Sequence, residues 1–397
     1  MASPQHDPAS MDKLPCDVLS NIFFRLLAKQ LAQMRCVSKS CNYLLSRSSF
    51  IQSHLHRSIH NNDKILLVFY EFYNSYCNPK PFKVTAHRTQ SPNLELTNFI
   101  KLPVNLQSEL TDVRIIGSVN GLICYFYNDS VVCIWNASLS AMLTLPPCSI
   151  RFFGYPIGTF LRFGFDPKTK DYKVVKLIRP NRVEWMEVEV YSMRKGTWKL
   201  IAKSIPSLVN ISIHNTEVCV DGRDGHVHWI CYLDDYNSAH KGLQLIVAFD
   251  LNLETFRFLS GKLCVISRGH GPRGEDYEYE VWVMEEYGVV ESWVKHHVFS
   301  HFTGSIDPYG FTSNGEFLFE ANEITEDYDG DIDVDAYLAL CNPIDAELKT
   351  FGHLDYYPCN RPKVVEYVDS LVWVTPSWVT PTVAELHVPK SERDIMG

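Results

Sequence analysis

Hydrophobic positions along this chain change period once, close to residue 60. Between residues 14 and 55 they recur at helical spacing. Val18, Leu19, Ile22, Phe23 and Leu26 fall at i, i+1, i+4, i+5 and i+8, an apolar stripe of helical period. Pro15 suits the first turn of that helix, where its missing N–H would have had no partner. A second short helix is predicted over residues 29–35, with Leu31 and Met34 inward. A third is predicted over residues 38–47, with Ser38 as N-cap and Cys41, Leu44 and Leu45 on one face. Three short helices cannot bury enough apolar surface to stand alone. Their apolar faces need the rest of the chain or another protein.

From residue 64 onward the pattern is one of strands and turns. Residues 55–62 read as a hinge-like segment into an aromatic, β-branched strand over 64–73. Residues 74–104 are loop-rich, broken at Asn78-Pro79 and Ser91-Pro92. From residue 113 a unit repeats: a strand entered through a glycine or tight turn, an aromatic strand ending in a turn, then a short strand. Its first half reads SVNGLICYFY, FGFDPKTKDYKVVKLI, VDGRDGHVHWICYL, GKLCVIS, SNGEFLFEAN and YVDSLVWV. Its second half reads CIWNASLSAMLTLP, EVYSMRKGTWKLI, VAFDLNLETFRFL, EVWVMEEYGVVESWV and ALCNPIDAELKTF. Repeats of roughly 36–55 residues are on the scale of propeller blades. In Trp135-Asn136, Phe165-Asp166, Tyr191-Ser192, Phe249-Asp250 and Cys341-Asn342, an apolar residue ends a strand and a short polar one caps the next turn. Trp198, Phe256 and Trp293 fall on the return strand, where a large ring fills space between stacked sheets. One blade cannot bury both of its faces, so several must pack round an axis. The expected fold is α + β: a small three-helix module, then an all-β propeller-like domain of about six blades.

Charge separates the same two regions. Residues 13–57 carry seven basic residues against Asp17 alone, a net of +6. The whole chain is −9, so the remainder carries −15. A basic helical module on an acidic body suits steering toward an acidic partner surface. The composition, 46% hydrophobic and 21% charged, is globular. Residues 1–11 form a polar tail without the apolar core of a signal peptide, and residues 389–397 form a second tail. No apolar run reaches the length of a membrane span. The 12 cysteines are scattered through apolar strands without a Cys-x-x-Cys pair. That pattern indicates buried free thiols in a reducing compartment, cytosol or nucleus. The sequons at Asn128, Asn136 and Asn210 are then chance matches.

Two stretches carry a family likeness. L-P-x-D-x-L-x-x-I-x-x-R-L from Leu14, then R-C-V-S-K-S from Arg35 and Ser-Phe-Ile before His54-Leu55, resembles an F-box. F-boxes dock onto Skp1-type adaptors of cullin ubiquitin ligases. The resemblance implies adaptor contact through Leu14, Pro15, Asp17, Val18, Leu19, Ile22, Leu26, Leu31, Val37, Lys39 and Leu44. Two positions depart from the plant pattern. Leu27 replaces a proline and is expected to lengthen the first helix by a residue. Cys41 replaces a tryptophan and is expected to remove a large apolar anchor from the adaptor contact. Residues 117–374 resemble the plant F-box-associated domain, a divergent kelch-like propeller, most specifically in FGFDPKTKDYKVV and YEVWVMEEYGVVESW. The two matches place an F-box at 12–57 and the associated domain at 64–388. They imply a substrate receptor whose F-box holds the adaptor, and through it cullin, RING subunit and E2, while the propeller holds a target protein. The alternative is a scaffold or sequestering protein that degrades nothing. Members of the family that these stretches resemble include S-locus receptors that recognise secreted ribonucleases and receptors that restrain immune receptors. An acidic body suits a basic target such as a ribonuclease, a steering argument that identifies neither.

Other constellations read as ordinary structure. Residues 269–274 satisfy G-x-G-x-x-G but run into the acidic, strand-like EDYEYEVWV, where a dinucleotide fingerprint needs a helix. Residues 325–336 (TEDYDGDIDVDA) start with Thr325 and end with Ala336, where an EF-hand places acidic ligands. His54, His56 and His60, His226 and His228, and His296, His297 and His301 lack the companions of a metal site. No catalytic residue, cofactor or metal is assigned, and the acidic body argues against nucleic acid.

Overall fold

The computed structural model describes residues 15–61, 64–70, 83–90, 102–103, 113–127, 131–148, 158–179, 186–201, 209–211, 222–233, 244–258, 264–270, 277–284, 289–299, 305–326, 332–342, 347–354 and 362–374. Four helices come first: α1 (Cys16–Phe23), α2 (Ala28–Met34), α3 (Lys39–Leu45) and α4 (Ser48–Ile59). Pro15 is the N-cap of α1. Ser38 caps α3, its Oγ accepting the Cys41 N–H at 3.0 Å. The fourth helix corrects the expected three. It starts at Ser48 and runs into residues 55–59 of the segment read as a hinge, and its pattern is weak because a histidine, His54, fills an inward position beside Phe50. Leu27 does not lengthen α1. The N–H groups of Arg25 and Leu26 donate to the Ile22 and Phe23 carbonyls, a tight turn that ends the helix. Leu27 then sits extended, at φ −70° and ψ 151°, as the N-cap of α2.

The remainder is six antiparallel sheets among the described residues. The first joins β1 (Ile65–Tyr70), β2 (Lys83–Arg88) and the last strand, β22 (Lys363–Tyr367), in the order β2-β1-β22. The second runs β3 (Val113–Val119), β4 (Leu122–Tyr127), β5 (Val131–Asn136) and β6 (Ala141–Thr144). The third holds β7 (Gly158–Asp166), β8 (Asp171–Arg179), β9 (Glu187–Ser192) and β10 (Thr197–Ile201). The fourth holds β11 (Val209–Ile211), β12 (His226–Leu233), β13 (Gln244–Asp250) and β14 (Thr255–Phe258). A three-stranded fifth holds β15 (Cys264–His270), β16 (Tyr277–Met284) and β17 (Trp293–Phe299). The sixth holds β18 (Ser305–Phe311), β19 (Phe317–Glu326), β20 (Ile332–Cys341) and β21 (Leu348–Leu354). The second to sixth sheets are meanders of consecutive strands and the first pairs β1 with the distant β22, the blade arrangement of a propeller-like domain. The five second-half repeats all fall on hairpins closing a sheet: β5–β6, β9–β10, β13–β14, β16–β17 and β20–β21. The stretch read as loop-rich contains β2, so the first sheet starts well before residue 113.

Apolar side chains lie between sheets. Leu67, Ile123 and Trp135 fill the gap from first to second sheet, and Leu122, Phe163 and Tyr191 the gap from second to third. Val175, Trp229 and Phe249 join third to fourth; Tyr279 and Phe317 join fifth to sixth; Val68 and Leu338 join sixth to first. Trp198 and Phe256 pack against these clusters as expected of the return strand, and the Trp198 indole N–H donates to the Pro146 carbonyl at 2.7 Å.

The stretch YVDSLVWV does not form a blade strand. β22 ends at Tyr367, and residues 368–374 continue without strand partners, mostly buried between the helices and the second sheet. Asn136 holds them: its Nδ2 donates to the Ser370 and Val372 carbonyls at 3.0 and 2.8 Å. The same residue is fully buried, which excludes it as a glycosylation acceptor in the folded chain.

Candidate functional site

The apolar stripe of α1 splits into two rows. Leu19 and Phe23, an i, i+4 pair, point inward and are 9% and 0% exposed. Val18 and Ile22, the neighbouring i, i+4 pair, point outward and are 39% and 44% exposed. The inward row meets Ala28 and Leu31 of α2, Cys41, Leu44 and Leu45 of α3, and Phe50 of α4. Phe24 stacks on Phe50 with ring centroids 4.7 Å apart. The outward row has no covering element among the described residues.

The other exposed apolar side chains of the module are Leu27, Val37 and Tyr43. Val37 lies in the turn after α2, with Tyr43 on the outer side of α3. Arg47 lies over the Tyr43 ring, 4.5 Å from its centroid. Arg25, Lys29 and Lys39 are exposed as well, so the apolar positions sit within a positive surface. Among the described residues, exposed large apolar side chains of the β domain differ in kind: Met142, Leu200, Leu253, Val294, Val298 and Leu348 are scattered over four outer strands and one turn. Such scatter is ordinary, whereas several on one small basic module form a surface awaiting cover.

The implied adaptor contacts therefore divide. Pro15, Asp17, Val18, Ile22, Val37 and Lys39 are exposed, and Leu26 is half-buried. Leu19, Leu31 and Leu44 belong to the module's own core, and Leu14 lies outside the described residues. Tyr43 and Leu27 are exposed additions to that set. Tyr43 was legible as the aromatic residue on the face of α3 opposite Cys41, Leu44 and Leu45. Cys41 is 6% exposed inside the core, so the substitution there alters packing within the module and not its outer surface.

The remaining candidates resolve locally. His54 is buried, its Nε2 donating to the Leu26 carbonyl at 3.1 Å, a bond that assigns the tautomer. His56 and His60 instead stack on each other at the exposed end of α4. His226 lies 3.8 Å from Asp250. No cluster of metal-ligating residues occurs among the described residues. Residues 271–274 of the glycine-rich stretch and 327–331 of the acidic stretch lie outside them; the latter is flanked by paired strands, β19 and β20, where an EF-hand has helices. No helix of the described residues is long and apolar enough to cross a membrane.

Comparison with known proteins identifies both parts. Residues 11–53 match the F-box domain, and residues 72–344 match the F-box associated beta propeller domain. The sheets extend beyond the second match at both ends, since β1 and β22 share a sheet. The chain is 28% identical to F-box protein CPR1 of Arabidopsis thaliana over 329 residues, covering 72% of each protein. It is 22% identical over 311 residues to an Arabidopsis thaliana F-box/kelch-repeat protein, covering 72% of this chain and 79% of that one. A basic helical module with an uncovered apolar row, followed by six antiparallel sheets, is thus accounted for at both ends: the chain belongs to the family of F-box proteins that carry an F-box associated beta propeller domain.

Proposed function

We propose that this chain is the substrate-recognition subunit of an SCF-type ubiquitin ligase. The F-box binds a Skp1-like adaptor, which brings cullin, RING subunit and charged E2, and the β domain binds the protein to be modified. One observation carries the reading: the outward row Val18 and Ile22, with Val37 and Tyr43, is uncovered on a positively charged F-box. Burying such a row against an acidic adaptor removes apolar surface from water at roughly 25 cal/mol per Å². Leu19, Leu31 and Leu44 support that surface from beneath. No residue of the chain carries the transfer chemistry in this reading; the receptor acts by raising the effective concentration of target lysines near the E2. The reaction takes place in cytosol or nucleus. The acidic body favours a basic target, of which the ribonucleases recognised by S-locus relatives are one chemical example.

Purified full-length protein should capture a Skp1-like adaptor. Val18→Asp combined with Ile22→Asp should lower that affinity at least a hundredfold with the fold intact, because both side chains are exposed in the free protein. Failure of the unmodified protein to bind any Skp1-like adaptor would refute the proposal. In a reconstituted ligase, ubiquitin on a captured target supports the receptor reading, and capture without ubiquitin supports a scaffold.

A further inference from the structure

Residues 368–374 alternate between two neighbours with a period of two. Asp369, Leu371 and Trp373 face the helices. An Asp369 carboxylate oxygen accepts the Ala28 N–H at 2.7 Å, satisfying a donor that the start of α2 leaves open. The same oxygen lies 4.0 Å from His54 Nε2. Leu371, 2% exposed, is a member of the F-box core cluster, and the Trp373 ring lies 5.9 Å from the Arg35 guanidinium carbon. The intervening residues face the β domain. The Ser370 N–H donates to Ser138 Oγ at 3.0 Å, and Val372 and Val374 pack between the second and third sheets. Gly121 lies beneath, where an added Cβ would meet the Val368 carbonyl oxygen at 2.2 Å and Ser370 Cβ at 2.4 Å.

A second attachment stands at the other end of the module. Lys64 Nζ donates to the Ile59 carbonyl at the end of α4 and lies 4.0 Å from Glu366 of β22. Glu366 is itself paired with Arg223 at 3.1 Å and accepts from Ser313 Oγ. The helices are therefore held through Glu366 within β22 at one point and by residues 368–374 after it at another.

We propose that residues 368–374 are an interdomain lock that fixes the F-box at one tilt on the β domain, with Lys64–Glu366 as the pivot about which it would swing if released. Asp369 and Leu371 are positioning residues in this device. The inference concerns rigidity alone and stands whether or not the chain serves a ligase.

Spin labels carried by non-natural amino acids at Gln52 of α4 and Lys195 of the β9–β10 turn, both exposed, measure the tilt in the full-length protein by pulsed dipolar spectroscopy. A second pair at Lys195 and Glu347 reports the β domain alone. The unmodified chain should give one narrow distance peak for both pairs. Asp369→Ala with Leu371→Ala should at least double the width of the Gln52–Lys195 peak and leave the control pair unchanged. Gly121→Ala should do the same from the opposite side, without touching a helix residue. Asp369→Asn, which keeps an acceptor for the Ala28 N–H, should stay narrow. A broad peak in the unmodified protein would overturn the lock, as would a narrow peak in either folded strap variant. Far-UV circular dichroism for the helices and the control pair for the sheets report which variants are folded. If one strap variant unfolds, the other decides.

Discussion

Single residues set the turns on which the sheets close. Four of the five polar caps read from the sequence act as expected, and the turn after the fifth, Asn342, lies outside the described residues. Asn136, Asp166, Ser192 and Asp250 each accept an N–H three residues on, at 3.1, 3.3, 3.1 and 2.9 Å. The residue one further on has a positive φ in every case: Ser140, Lys170, Gly196 and Glu254. Only one of these is glycine, so three side chains occupy a left-handed conformation that costs roughly 1–2 kcal/mol. Lys170 is exposed, and Lys170→Gly should release that cost less the extra freedom gained by the unfolded chain. A gain of about 0.5–1 kcal/mol, read as a Tm increase of about 1–3 °C, is expected. Glu254 is different because it works: it accepts from Lys173 at 3.0 Å and Lys199 at 2.6 Å. Burial by itself pushes its carboxyl up, and the two lysines outweigh burial and hold it below its ordinary value. Asp166 follows the same rule, burial being outweighed by hydrogen bonds from Thr169, Asn252 and the Lys168 and Thr169 backbone. Both pKa values are depressed on folding, so the stability they add is complete above the unfolded value near 4 and is lost as pH falls through the folded values. A Tm series from pH 5 to pH 3 should fall steeply, and Asp166→Asn should flatten it.

At the scale of elements, α1 shows what a periodic pattern can and cannot say. Four of its apolar positions, with Leu26 in the turn beyond it, were legible as one stripe. The division into an inward row and an outward row depends on where α2, α3 and α4 stand, which no local spacing encodes. The fourth helix escaped notice because His54 occupies an inward position that apolar periodicity ignores. Conversely, the hairpins were legible because a strand end, a polar cap and a return strand are all local features. β2 was not, since its pairing with β1 spans residues 71–82. The entry to α2 offers a check. Leu27 already adopts the φ of proline, so Leu27→Pro should change stability by less than about 1 kcal/mol, losing only its N–H bond to Gln30. Leu19→Asp should behave in the opposite way to the outward-row variant. It places an unpaired charge in the F-box core and should unfold the helices, seen as a loss of helical circular dichroism.

The whole molecule joins its first and last described strands in one sheet, and its helices complete their core with Leu371. Neither part is finished without the stretch from 362 to 374. Calorimetry should therefore show one cooperative transition for helices and sheets together, and Leu371→Ala should lower it by about 2–5 kcal/mol. Two separate transitions would contradict this. Five of the six sheets were visible in the repeats. The sixth repeat, read from YVDSLVWV, begins on the last residue of β22 and forms no blade strand, and the partnership of β1 with β22 was not legible because neither strand repeats the unit. That partnership bears on how the chain is made. Ala28 and Asp369 are 341 residues apart. At about 5–20 residues per second, synthesis leaves the F-box without its last core residue for on the order of 20–70 seconds. A nascent or prematurely terminated chain would thus carry an F-box that is incompletely packed and poorly suited to an adaptor. Competence to recruit a partner would come only to molecules whose β domain is already able to close, a form of quality control written into the order of the sequence.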